Sequence, residues 1–194
     1  MSGNLHIIYN VILGSNSPRR RELMAGLGIP FEVRVMPGVD ESYPPSLENE
    51  DIPLYVAAKK MEAYFPSLKD NELLITADTI VSIDNTILGK PAGRDEAVGM
   101  LRLLSGRTHQ VITGVCLASR LKARSFSVSS NVRFATVKEE DIEYYVDNYH
   151  PYDKAGAYGI QEWIGYVAVE GIEGSFYNVM GLPIQRVYKE LSAF

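Results

Sequence analysis

The chain predicts an α/β fold, and three observations carry that expectation. The apolar run Ile7-Ile8-Tyr9-Asn10-Val11-Ile12-Leu13 ends at Gly14 and leads into Ser17-Pro18, which suits a helix N-cap followed by a first-turn proline. A second apolar run, residues 73–83, stops at the turn pair Asp84-Asn85 and returns through residues 86–90. Two long stretches rich in β-branched residues, 108–118 and 125–136, then alternate with Ser and Asn as half-buried strands do. Helical patterns lie between these runs, so strands and helices alternate along the chain.

Each element has a local reason. Residues 7–13 read as a buried strand, and residues 18–28 as the helix that Ser17 caps. Residues 31–36 make the next strand. A polar loop, 37–53, is the one segment expected to be mobile and to form a lip of any cleft. Residues 53–65 then form a helix. The strand at 73–83 and its short return precede a helix at 95–104, which stops at Ser105-Gly106. The strands at 108–118 and 125–136 are antiparallel partners joined by the basic turn Ser119-Arg120-Leu121-Lys122-Ala123-Arg124. Residues 139–149 form a helix whose first-turn acids, Glu139, Glu140 and Asp141, suit its dipole and are therefore structural. A final helix covers 183–191. No repeat, linker or low-complexity tract interrupts this order.

Composition narrows the function. With 194 residues, 46% of them hydrophobic, the chain is long enough for a real core and short enough for a single domain. Its one cysteine, Cys116, lies in an apolar run and reads as a small buried side chain, so no disulfide or thiolate-metal framework forms within the chain. Neither a signal segment nor a membrane-length apolar stretch is present, and a cytoplasmic protein is the expectation. Net charge is -5, and the basic residues are scattered apart from Arg19–Arg21 and Lys59-Lys60. A small phosphorylated ligand fits that distribution better than a nucleic acid polymer. His6, His109 and His150 have no metal-ligand spacing and read as surface or satisfied imidazoles.

Cations at a helix start mark an anion site. Arg19, Arg20 and Arg21 fall in the first turn after Ser17, where unpaired amides and the macrodipole already favour negative charge. Each such cation costs about 0.3–1 kcal/mol unless an anion binds. Asp78 places a carboxylate inside an otherwise apolar strand. An isolated aspartate there would serve as a hydrogen-bonded strand end, but Lys59, Lys60 and Lys90 supply cations that suit a base or a metal ligand. In the loop, Asp40-Glu41 offers a second acidic position that could share a divalent cation with Asp78, or simply be solvated. The small-residue segment Asp153-Lys154-Ala155-Gly156-Ala157-Tyr158-Gly159-Ile160-Gln161 allows close backbone approach to a ligand. Its Gln161 carries the donor and acceptor needed to read a base edge, although an ordinary tight loop fits the same residues. Walker-type and G-x-G-x-x-G phosphate loops are absent. Ile80 stands where a haloacid-dehalogenase-like pattern needs a second aspartate.

Taken in order, Ser15-Asn16-Ser17-Pro18-Arg19-Arg20, Ala77-Asp78-Thr79-Ile80-Val81, Gly89-Lys90-Pro91, Ser105-Gly106-Arg107-Thr108-His109, the 153–161 segment, and Gly174-Ser175 with Gly181-Leu182-Pro183 resemble the Maf family of nucleoside triphosphate pyrophosphatases across nearly the whole chain. The 153–161 block is similar to that of the branch acting on dTTP and UTP. The resemblance implies a mixed twisted sheet in two lobes around a substrate cleft, similar to inosine triphosphate pyrophosphatases. It implies Asp78 as general base and Ser15, Arg19, Arg20, Lys60 and Lys90 along the triphosphate. Glu41 with Asp78 would hold Mg2+ or Mn2+, and Arg19, Thr79 and Gln161 would set substrate choice. It further implies attack of water on the α-phosphorus, and a homodimer. A non-enzymatic nucleotide-binding regulator of cell division is the alternative the family name carries, and a phosphomonoester phosphatase is a second rival. Gly14 stands where the family usually has alanine, and Glu162 where glycine is common.

Overall fold

A computed structural model describes residues 9–194. The strand expected at 7–13 is seen as β1 (Asn10–Leu13), and its first residues, like His6, lie outside the described part. After it come α1 (Pro18–Ala25), β2 (Phe31–Val33), α2 (Ile52–Tyr64), β3 (Glu72–Ile83), β4 (Thr86–Leu88) and α3 (Arg94–Leu104). The second half holds β5 (Thr108–Ala118), β6 (Ala123–Phe134), α4 (Glu139–Tyr149), α5 (Trp163–Ala168), β7 (Val169–Glu173), α6 (Phe176–Val179) and α7 (Ile184–Ser192). The strands form one mixed sheet in the order β2-β1-β3-β5-β6-β7, with β4 paired to β3. β1 runs parallel to both β2 and β3, whereas β3–β4 and β6–β7 are antiparallel.

Most elements lie where their sequence signals put them, and the differences have local causes. β2 ends at Val33; Arg34 N–H makes the last ladder bond, to Leu13 O at 3.1 Å, and its guanidinium turns to Glu72, in two bonds of 2.8 and 3.0 Å. That bidentate pair holds the Glu72 carboxyl down at about 2. β7, α5 and α6 had no sequence expectation. Val169–Glu173 is short and interrupted by Gly171, and it becomes a strand through pairing with Asn131–Phe134 of β6. The Asp84-Asn85 turn takes positive φ at both residues, 47° and 62°, as a tight hairpin of this twist requires. No helix among the described residues is long and apolar enough to cross a membrane.

By compactness the chain divides into two units, each of several segments. Of the described residues, the first comprises 9–78, 113–128 and 181–194, and the second 79–112 and 129–180. In the first, Ile12, Leu74, Tyr64 and Leu68 form a buried cluster flanked by Met36, Met61 and Phe65. The Tyr64 hydroxyl accepts from Met36 N–H at 2.7 Å and donates to Arg34 O at 3.0 Å, which ties the start of the 37–51 loop to α2. Gly114 is what lets β5 lie against the start of α2, since a Cβ there would sit 2.3 Å from Leu54 N and 2.4 Å from Pro53 C. Cys116 is buried, as its surroundings in sequence suggest.

In the second unit His109 is 2% exposed, with Nε2 2.7 Å from the Tyr158 hydroxyl and Phe134 edge-on at 5.0 Å. Burial pushes its pKa down from 6.5 to about 4. Its neutral form is therefore the native one, and between those two values the unfolded chain takes up a proton that the folded chain refuses. Stability should fall by about 2–3 kcal/mol on going from pH 7 to pH 4.5 on this account. Urea unfolding at both pH values checks it. The H109Q variant should lose that part of the pH dependence, and an equal slope in parent and variant would refute the assignment.

Candidate functional site

In the first unit β1, α1, α2 and the start of β3 bring its chemistry together. β1 lies parallel to β3 with Leu13 opposite Ile75, and Gly14 N–H continues the ladder to Ile75 O at 2.8 Å. A Cβ on Gly14 would meet Thr76 Cγ2 at 3.1 Å and Leu74 Cδ1 at 3.2 Å, so glycine relaxes a tight approach where an alanine would press. Ser15 is buried, and its Oγ accepts from Ser17 N–H at 3.2 Å. Ser17 caps α1 by accepting from Arg20 N–H, and no acid lies in that first turn. The cationic helix start read from the sequence is thus present.

Arg20 turns inward from that turn. Its Nε donates to Gly181 O and its Nη1 to Ala77 O, each at 2.7 Å. Ala77 immediately precedes Asp78, so the guanidinium braces the stretch of β3 that presents the carboxylate. Burial pulls the Arg20 pKa down; Asp78 opposes that shift, Arg19 adds to it and Glu41 opposes it. This brace was not legible in the sequence, where Arg20 reads only as a phosphate ligand.

Asp78 and Glu41 meet on one ammonium group. Lys60 Nζ lies 2.8 Å from Asp78 Oδ1 and 3.1 Å from Glu41 Oε1. Lys60 and Asp78 are largely buried, with side-chain exposures of 13% and 17%, while Glu41 is half exposed. The neighbouring lysine does a different job. Lys59 Nζ binds Asp40 Oδ2 at 2.7 Å and Ser42 O at 3.0 Å, and this pairing, with the Ser42 bonds, holds the Asp40 carboxyl well below the usual range. Consecutive lysines of α2 therefore hold consecutive acids of the 37–51 loop. Thr76 Oγ1, donating to Ala57 O at 2.8 Å, fixes β3 against α2 one helical turn before Lys60. Sequence reasoning could not separate Lys59 from Lys60.

The second unit carries the remaining candidates. Thr79 is half-buried in β3, and Lys90 is exposed two residues after β4, whose register carries the chain back alongside β3 toward Thr79. Gly89 O accepts from Gly156 N–H at 3.1 Å, which joins the Lys90 loop to the 153–161 segment. There Gly156 and Ala157 both adopt positive φ, 68° and 58°, and a Cβ on Gly156 would meet Val81 at 3.0 Å. Gln161 is half-buried, and its Oε1 has no hydrogen-bond partner among the described residues. Glu162 turns back onto Lys154 and Tyr145, an arrangement the sequence did not signal.

Two carboxylates converging on one cation make a position suited to a hard metal ion as well as to an ammonium. Both are oxygen donors, as Mg2+ and Mn2+ prefer. Among the described residues no group of three or more His, Cys, Asp or Glu side chains gathers at one point, so phosphate oxygens would have to complete the shell.

Comparison with known proteins identifies the family. The family described as Maf-like protein matches residues 10–194. A Parabacteroides distasonis protein named dTTP/UTP pyrophosphatase is 60% identical over 186 residues, covering 96% of this chain and 96% of that protein. A Porphyromonas gingivalis protein of the same name is 58% identical over 188 residues, covering 96% of this chain and 94% of its own. Among solved structures, the Staphylococcus aureus Ham1 protein superposes with a TM-score of 0.56 at 14% identity, covering 95% of this chain and 98% of that one, which is a likeness of fold.

Proposed function

The chain belongs to the Maf-like protein family, and on that premise we propose that it hydrolyses dTTP and UTP to the nucleoside monophosphate and pyrophosphate. The observation that carries the reading is the meeting of Asp78 and Glu41 on Lys60 Nζ, beside the cationic start of α1. Water attacks the α-phosphorus, and Asp78 takes up its proton. Ser15, Arg19, Lys60 and Lys90 bind the triphosphate and stabilise charge on the leaving pyrophosphate. Arg20 adds its charge from a fixed place behind Asp78. Preorganised charge of this kind commonly lowers the barrier of such reactions more than any other single effect. Asp78 and Glu41 are the residues that would hold Mg2+ or Mn2+, which when bound supplies charge neutralisation and lowers the pKa of water.

Thr79, Arg19 and Gln161 set substrate choice. A buried carbonyl oxygen without a partner costs about 1–3 kcal/mol until a donor arrives, and Gln161 Oε1 is in that state. Uracil and thymine share a donor at N3–H, whereas cytosine presents an acceptor there. The Q161A variant should lose about tenfold of its preference for UTP over CTP while kcat on UTP stays within about threefold. An unchanged preference would remove Gln161 from base reading.

Product analysis tests the whole reading. Pyrophosphate should appear from dTTP and UTP with Mg2+ or Mn2+, without orthophosphate. Orthophosphate as the product would mean terminal attack and another class of phosphatase. A folded protein that binds these nucleotides and releases neither product would be a nucleotide-binding regulator.

A further inference from the structure

Glu162 follows the residue proposed to read the base, and its carboxylate joins three separate pieces of the second unit. Its Oε1 lies 3.2 Å from Lys154 Nζ, an ammonium whose side chain is only 9% exposed and whose other carboxylate partner, Asp153 at 2.6 Å, faces solvent. Its Oε2 accepts from the hydroxyl of Tyr145 on α4, a tyrosine with 0% exposure. That hydroxyl in turn accepts from Gly159 N–H at 3.0 Å. A buried ammonium needs a paired charge, and Glu162, at 21% exposure against 59% for Asp153, is the less solvated of its two carboxylate partners.

The backbone repeats the linkage. Glu162 N–H donates to Gly159 O at 2.9 Å, and Gly165 N–H donates to Glu162 O at 2.9 Å. A Cβ on Gly159 would lie 2.8 Å from Glu162 Cδ and 3.0 Å from its Oε2, so a side chain there would push the carboxylate out of this place. The chain from Lys154 to Glu162 is thereby closed by one carboxylate, and Gln161, with its buried and unpartnered Oε1, sits one residue inside the closure.

We propose that Glu162 is a positioning residue for base recognition, holding the 154–162 segment on Tyr145 and Lys154 so that the Gln161 amide is presented to the pyrimidine in one orientation. This rests on the pyrophosphatase reading and deepens it. Glu162 does not touch the nucleotide; it acts through Gln161. The neighbouring Trp163, the only tryptophan in the chain, packs edge-on against Tyr144 with ring centroids 4.9 Å apart and supplies an optical probe next to the site.

Two variants test it, E162Q, which keeps shape but removes the charge facing Lys154, and Y145F, which removes the hydroxyl between Glu162 and Gly159. Each should raise KM for UTP about tenfold with kcat within about twofold, and shrink the preference for UTP over CTP by a similar factor. In a Q161A background E162Q should add less than about twofold, because both changes act through one amide. A purely structural role would instead give independent effects in the two backgrounds, and that result, or unchanged KM and preference in folded E162Q and Y145F, overturns the proposal. Circular dichroism reports folding, and Y145F decides alone if E162Q is unfolded.

Failure of the underlying reading is seen separately, as a parent protein that releases no pyrophosphate from any nucleotide. Binding then decides, through Trp163 fluorescence during titration with dTMP. Weaker dTMP binding by E162Q and Y145F than by the parent supports the role of Glu162. Equal binding, or no response in the parent, refutes it.

Discussion

Asp78→Asn should lower pyrophosphate release by about a hundredfold to ten-thousandfold, the range associated with losing a positioned base, and should leave nucleotide binding within a few-fold of the parent. The amide keeps the shape of the side chain and can still accept from Lys60 Nζ, which lies 2.8 Å from Oδ1 in the parent. It can neither take a proton from water nor neutralise the ammonium. Lys60 retains Glu41 at 3.1 Å, so the variant loses one of two counter-charges without leaving a lone buried cation. Pyrophosphate release and dTMP binding, measured on the same preparation, separate the two roles. Retained turnover would remove Asp78 from the reaction. Lost turnover with lost binding would make it a binding group.

Arg20→Ala should strongly destabilise the first unit, and should abolish turnover in whatever protein remains folded. Its guanidinium satisfies Ala77 O and Gly181 O at 2.7 Å each, and Ala77 is 1% exposed. Two main-chain carbonyls that lose this donor, at about 1–3 kcal/mol apiece, give a loss of about 2–6 kcal/mol. For a chain of this size that corresponds to a fall of about 4–24 °C in Tm. Arg20→Lys should recover part of the charge and little of the stability, because one ammonium lacks the planar fork that reaches both carbonyls. Thermal unfolding of both variants checks the first expectation, and pyrophosphate release at a temperature where each is folded checks the second. An arginine that served phosphate alone would leave Tm unchanged and affect KM.

Much of the fold was legible because its signals are local. Ser17-Pro18 marks a helix start, Asp84-Asn85 suits a tight hairpin, and the apolar runs around Val11 and Leu74 have strand length. These depend on a residue and its immediate neighbours, so a linear reading recovers them. The 169–173 strand was not legible, since a short stretch interrupted by glycine acquires strand character only by pairing with β6. Among candidate site residues, the type and order of Ser15, Arg19, Arg20, Asp78 and Gln161 could be read, and so could the proximity of a lysine to Asp78. The partners could not.

By itself, then, the sequence determined the α/β class, the order of most elements, the cationic helix start and the carboxylate set in an apolar strand. Backbone preference and hydrophobic period act over a few residues, and the family motif is a linear pattern. Tertiary structure alone decided that Lys60 serves Asp78 and Glu41 while Lys59 serves Asp40. It also decided that Arg20 braces two main-chain carbonyls, and that Glu162 closes on Lys154 and Tyr145. Charged and polar groups have ångström-range partners supplied by distant chain segments, and which donor meets which acceptor is set only once packing has fixed the positions of both.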